Sequence, residues 1–134
     1  MVYDDVISVL DTAEDESGVL RVLQYILRGV YLERSSGVTI DEAGEKRAYN
    51  CTLFVPESVQ SEDSYIKPKA WERLSYSEKM HKYTFRPQQV LALTGESLAY
   101  DSLSAVLNSE DDCYQVVGVD YLDKVLPHFE VLGK

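Results

Sequence analysis

At 134 residues, with 45% hydrophobic and 27% charged side chains, the chain has the size and composition of one folded domain, residues 1–134, which excludes global disorder. A formal net charge of −10 leaves no basic face of the kind that phosphate-backbone binding needs, so nucleic acid is not an expected specific ligand. No apolar run approaches the roughly 18 residues of a membrane span, and Met1-Val2-Tyr3-Asp4-Asp5 lacks the positive flank of a signal peptide, so cytoplasmic synthesis and no membrane partner are expected.

Val2 to Leu10 is a mixed apolar run that leads into the acidic, turn-like stretch Asp11-Thr12-Ala13-Glu14-Asp15-Glu16-Ser17-Gly18. Val19 to Arg34 is rich in β-branched and aromatic residues and predicts a long strand with Gly29 as a bulge or bend. Helical spacing also fits Val19–Leu27, so a helix there stays open. Ser35-Ser36-Gly37 and Gly44 mark turns, and Lys46 to Val55 predicts a strand with Tyr49, Cys51, Leu53 and Val55 on one face, ended by Pro56. The two strands should form a hairpin with an extended loop.

From Ser61 the character changes. Lys67 to Leu74 reads as a helix with Pro68 in its first turn, and Trp71 and Leu74 are spaced to pack together. Ser75 followed three residues later by Glu78 is a capping box opening a second short helix. Tyr83 to Phe85 is extended, Pro87 breaks it, and Gln89 to Leu93 is a strand. Leu98–Asn108 predicts a helix with Asp101 as its cap. Cys113 to Leu122 predicts a strand with Tyr114, Val116, Gly118 and Asp120 on one face, and His128 to Leu132 a final short strand after Pro127. The expected class is α+β and strand-rich: a small β-barrel or sandwich-like body with a short helical insertion around residues 67–82.

The chain offers little chemistry. His81 and His128 are its only imidazoles, and no nucleophile elbow, phosphate-cradling loop or dinucleotide fingerprint occurs. The acidic stretch from Asp11 is a poor calcium loop, with Glu16 at the sixth position where glycine belongs and Val22 at the twelfth where the closing Glu belongs. Asp41-Glu42 and Asp111-Asp112 read as solvated loop charge rather than acid–base pairs. Cys51 and Cys113 lie far apart in apolar stretches and read as buried free thiols. The expectation is a non-enzymatic protein with no catalytic residues, no cofactor and no metal.

What remains is charge and aromatic content. Acids gather at Asp11–Glu16 and Glu110–Asp112; Lys67, Lys69, Arg73, Lys79, Lys82 and Arg86 form a basic stretch. Two readings stand: solvated loops beside a basic helical surface, or complementary faces that guide subunits together. Ten tyrosines against three phenylalanines and one tryptophan suit either a half-buried sheet or an interface.

Four stretches resemble an uncharacterised family encoded in prophage morphogenesis clusters of Gram-positive bacteria. They are Leu27-Arg28-Gly29-Val30-Tyr31-Leu32-Glu33, Cys51-Thr52-Leu53-Phe54-Val55-Pro56, Tyr65-Ile66-Lys67-Pro68-Lys69-Ala70-Trp71 and His128-Phe129-Glu130-Val131-Leu132-Gly133-Lys134. The resemblance runs from about Leu27 to the end. It departs from the family at Phe129, where Trp is usual, and at Pro87-Gln88-Gln89, where a P-G-D turn is usual, so that turn is expected to differ in shape. Proteins of this kind are similar to head-completion, or stopper, proteins of the head–tail connector, small β-barrels with a helical insertion.

The resemblance implies a virion structural subunit in a homo-oligomeric ring of roughly six or twelve copies, between portal or adaptor and tail-terminator proteins, with DNA sliding unbound through an acidic lumen. Lys67, Lys69, Trp71, Tyr76, Phe129 and Val131 are the expected interface residues, and strand addition along Phe129–Leu132 the expected mode of pairing. Connector adaptor or tail terminator is the nearest alternative. A small acidic host-directed regulatory or inhibitor protein is the alternative from another class.

Overall fold

The computed structural model describes residues 2–34, 50–122 and 127–134. Six antiparallel strands close into a barrel: β1 (Asp5–Glu14), β2 (Leu20–Arg34), β3 (Cys51–Pro56), β6 (Val90–Ala92), β7 (Cys113–Leu122) and β8 (His128–Gly133), in the order β1-β2-β3-β8-β7-β6. Between β3 and β6 comes an insertion built from β4 (Ser64–Tyr65), α1 (Pro68–Glu72), α2 (Tyr76–Lys79) and β5 (Lys82–Tyr83). A third helix, α3 (Leu103–Ser109), links β6 to β7. The expected strand-rich α+β barrel with a helical insertion is therefore the fold.

Alternation of side chains explains the barrel and its two irregularities. In β2, Leu23, Tyr25 and Leu27 point into the main core, then the phase changes and Val30 points inward. The change occurs at Gly29: Asp5 pairs with Val30 and Val6 with Arg28, which leaves Gly29 unmatched at φ +78°. A single extra residue in the left-handed region is a bulge that glycine makes without Cβ strain. The strand reading of Val19–Leu27 thus holds over the helical one, because Leu20–Arg34 pairs along nearly its whole length with β1 and then β3.

In β7 the structure corrects the expected face. Val116 pairs with Gly133 and Gly118 with Leu132, so Val117 is an extra, outward residue, 41% exposed. Beyond it the alternation reverses: Val119 packs on the main core, opposite buried Val131. Tyr114, Val116, Gly118 and Asp120 therefore do not share one face.

The strand β1 lies between two cores. Its residues Ile7, Val9 and Ala13 join the main core, while Leu10 joins a second cluster with Val90, Ala92 and Val106 under α3. The expected acidic turn from Asp11 is corrected accordingly. Asp11 is a strand residue, 3% exposed, and the turn proper is Asp15–Gly18. The cap of α3 is Ser102 rather than Asp101, its hydroxyl accepting the Ala105 N–H. The Ser75–Glu78 capping box of α2 forms as expected. The extended form expected from Tyr83 begins in β5, but β4 and its parallel pairing with β5, as a separate two-stranded sheet, were not expected.

Closure of the barrel also corrects the expected pairing mode. The strand β8 is hydrogen-bonded to β3 on one side and to β7 on the other, so Phe129–Leu132 has no free edge to offer a neighbour. The loop expected between the second and third strands lies outside the described residues, and so do Tyr49, Gly37, Gly44 and the pair Asp41-Glu42.

Candidate functional site

The insertion approaches the barrel where β3 ends, β7 ends and β8 begins, and an open groove of about 780 Å³ lies at the junction. Its floor and one wall are aromatic. The ring of Tyr65, from β4, lies 4.7 Å from that of Phe129 and 5.8 Å from that of Phe85; the Tyr121 ring lies 4.9 Å from Phe129. These rings continue inward through Tyr83 to Tyr25, which belong to the main core. The opposite wall is the start of α1, with Lys67, Pro68 and Lys69; Glu57 is the acid on the rim. Tyr121 is 54% exposed.

Local sequence places these groups. Pro68 at the first turn of α1 lacks the N–H that a helix start leaves unpaired, so the chain turns sharply there and Lys67 and Lys69 project from the first turn into solvent. The Tyr65 side chain reaches the groove because β4 pairs with β5, Ser64 opposite Lys82 and Tyr65 opposite Tyr83. Burial pushes the Tyr65 hydroxyl above its ordinary range and that of Tyr83 up to about 12, so both rings are neutral donors at physiological pH.

Behind the groove, the other face of the insertion is locked to the barrel. Trp71, 1% exposed, donates its indole N–H to the Lys82 carbonyl at 2.9 Å. The Arg86 guanidinium stacks 4.5 Å above the Trp71 ring, and the Lys79 ammonium lies 4.6 Å from it. Arg86 also donates two hydrogen bonds to the buried Asp11 carboxylate, at 2.9 and 2.8 Å, and Gln89 donates a third at 2.8 Å. The carboxylate beside it holds the Arg86 guanidinium even more firmly charged than usual. Gln89 is itself saturated: its amide also donates to the Thr84 carbonyl, and its oxygen accepts the Arg86 N–H.

Of the residues singled out from sequence, Lys67, Lys69 and Phe129 are brought together on the groove. Tyr76 stands half-buried at the start of α2, packed against the main core. Trp71 and Val131 are corrected: both are wholly buried and serve the core of the single chain rather than its surface, because each sits on the inward face of its element. Tyr65, Pro68 and Tyr121 complete the groove and were not singled out for contact. Tyr65 and Pro68 lie within the Tyr65–Trp71 stretch that carries the family resemblance, which was the available signal.

The remaining candidates are placed elsewhere. Cys51 is buried, its thiol pushed up to about 11, and Cys113 is half-buried beside the carbonyl of Glu110, its thiol raised by burial and then by Glu110, Asp112 and Asp111. The His128 ring lies beside the Glu130 carboxylate at 3.4 Å and near the ring of Phe54. Among the described residues, no group of three or more His, Cys, Asp or Glu side chains is placed to hold a metal ion. No helix of the described residues is long and apolar enough to cross a membrane.

Compared with known proteins, residues 4–134 match the model of a family of unknown function (DUF6751). No curated protein and no solved structure matches the chain.

Proposed function

The chain belongs to the family of unknown function DUF6751. We propose that it is a non-enzymatic structural subunit of a bacteriophage or prophage head–tail connector, a stopper-like ring through which DNA passes between portal and tail. The observation that carries this reading is where the four resembling stretches fall. Leu27–Glu33, Cys51–Pro56 and His128–Lys134 map to β2, β3 and β8, three strands that are neighbours in the barrel wall. Tyr65–Trp71 supplies both the groove wall and the tryptophan that locks the insertion down. The resembling stretches thus fall, in this chain, on the closed barrel and on the docked helical insertion beside the groove, which supports the reading.

A net charge of −10 suits a conduit that DNA must slide through without sticking. Portal or adaptor and tail-terminator proteins are the implied neighbours, and the virion the implied location. Connector adaptor or tail terminator is the nearest alternative; subunit count and neighbours in a particle reconstruction separate these readings. The host-directed inhibitor reading needs its acids on one continuous outer face. Asp11 is spent inside the protein on Arg86, and Asp15 on its own turn, which weighs against it.

Mass spectrometry of purified particles from a lysogen carrying the gene tests the reading. The expected result is the intact chain at a fixed ratio to the portal protein; its absence from particles sinks the proposal.

A further inference from the structure

The tip of the β1–β2 hairpin is shaped as the counterpart of the groove. Asp15 fixes the turn: its carboxylate accepts hydrogen bonds from the Ser17 N–H and hydroxyl, the Val19 N–H and the Arg21 guanidinium, at 2.7–3.0 Å. Gly18, at φ +82°, closes it. This bracing presents two aliphatic side chains to solvent, Val19 at 48% and Leu20 at 58% exposure. Glu14 and Glu16 flank them, also exposed. With Asp15 neutralised by Arg21, the tip is a rigid apolar knob with an acidic collar. The groove is the reverse: exposed aromatic surface at Tyr121, with Lys67 and Lys69 on the rim against the single acid Glu57.

We infer that the hairpin tip of one copy seats in the groove of the next. Val19 and Leu20 cover Tyr65, Tyr121 and Phe129, while Glu14 and Glu16 face Lys67 and Lys69. Apolar burial supplies the attraction, and the opposite charges select the register. Because the turn is already braced in the free chain, little ordering cost is added on contact. A knob-to-groove contact joins different surfaces of two identical chains, so it propagates head to tail and forms a ring when the rotation closes. The inference rests on the ring reading above and names its contact.

The test uses the full chain, with a benzophenone amino acid in place of Leu20 in ¹⁵N-labelled copies mixed with unlabelled ones. After irradiation, mixed-isotope crosslinks should map to the peptides carrying Tyr65–Lys69, Tyr121 or Phe129. Lys67→Glu with Lys69→Glu should cut the yield about tenfold, as should Glu14→Lys with Glu16→Lys, and combining the reversed tip with the reversed groove should restore it. Crosslinks elsewhere, no crosslinks between copies, or failure of the combined reversal to restore the yield overturns the inference. These outcomes are separable from the fate of the ring reading. A chain found in particles but lacking the tip-to-groove crosslink keeps the ring and loses this contact. Tip-to-groove pairing in a chain absent from particles does the opposite.

Discussion

The two faces of the α1–α2 insertion use similar residues to opposite ends. On the inner face, Trp71 is enclosed and roofed by the Arg86 guanidinium, whose charge is matched by buried Asp11. On the outer face the rim lysines Lys67 and Lys69 stay open to solvent, and so does Tyr121 of β7 across the groove from them. Both faces combine an aromatic ring with a cation. The inner one has its cation hydrogen-bonded to an acid of its own chain; on the outer one a single acid, Glu57, stands against two lysines that have no charged partner among the ion pairs of the described residues. A run of basic residues that looks uniform in sequence therefore divides: Lys79 and Arg86 pack on Trp71, while Lys67 and Lys69 stay on the open groove rim.

The comparison breaks first at Trp71. Trp71→Ala removes the largest buried side chain of the insertion together with its indole hydrogen bond, and should cost about 4 kcal/mol of stability in urea unfolding. A loss within experimental error would show that the insertion is not part of the core. Next comes Arg86→Met, which leaves the Asp11 carboxylate buried with Gln89 as its remaining side-chain donor, and should cost about 3 kcal/mol. Pairing it with Asp11→Leu should recover part of that loss, because an unpaired buried charge costs more than an absent pair; additive losses would mean the pair is not coupled.

Tight packing extends along the barrel seam away from the groove, and pH reads it. The Cys51 thiol lies under Gly133, where an added Cβ would meet the sulfur at 2.6 Å, and burial raises it from 9.0 to about 11. In that window the unfolded chain has released the thiol proton and the folded chain still holds it. Stability is therefore whole below pH 9 and falls as pH rises toward 11, by about 2 kcal/mol from this group. In Cys51→Ala the decline between pH 9 and 11 should be shallower, leaving the part due to the tyrosines, of which Tyr83 titrates at about 12. An unchanged slope in chemical denaturation across that range would show that the thiol does not contribute.

Sequence patterns carried the fold further than they carried the site. The barrel strands after β1, the bulge at Gly29, the capping box at Ser75 and the proline-started helix were legible because each rests on local chemistry: alternation, glycine conformation, a side chain three residues from its backbone partner. The buried state of Asp11 was not legible, since its partner Arg86 is 75 residues away and the neighbouring acids make it look like solvated turn. The phase reversal at Val117 was hidden because valine, unlike glycine, does not advertise a bulge. Trp71 was an expected contact residue and Val131 lay on the strand expected to pair with a neighbour, and only their depth in the fold shows that the single chain uses them up. Half of the groove was readable from the lysines and Phe129, while Tyr121 joins it through the same reversal that the sequence conceals.

The turn at Pro87-Gln88-Gln89 offers a smaller test in the opposite direction. Proline in second place and φ +79° at Gln88 are the marks of a type II turn, whose third position favours glycine. Gln88→Gly should raise stability by about 1 kcal/mol, offset slightly by loss of the exposed Gln115–Gln88 side-chain hydrogen bond. A melting temperature at or below the parent's would mean that this hydrogen bond outweighs the backbone strain.

The smallest expected effect on stability is the most telling about the outer face. Lys67 and Lys69 are exposed, and neither has a charged partner among the ion pairs of the described residues. Replacing both with Glu adds no buried charge and removes no packing, so thermal unfolding should shift by no more than about 0.5 kcal/mol. Reversal at Arg86, on the inner face, would instead place a second acid against Asp11 and unfold the insertion. If the double lysine reversal destabilises the monomer as strongly as the Arg86 change, the outer face is structural too, and the division between the two halves of the basic stretch is lost. If it leaves the monomer intact while copies cease to associate, the rim lysines belong to a contact between chains.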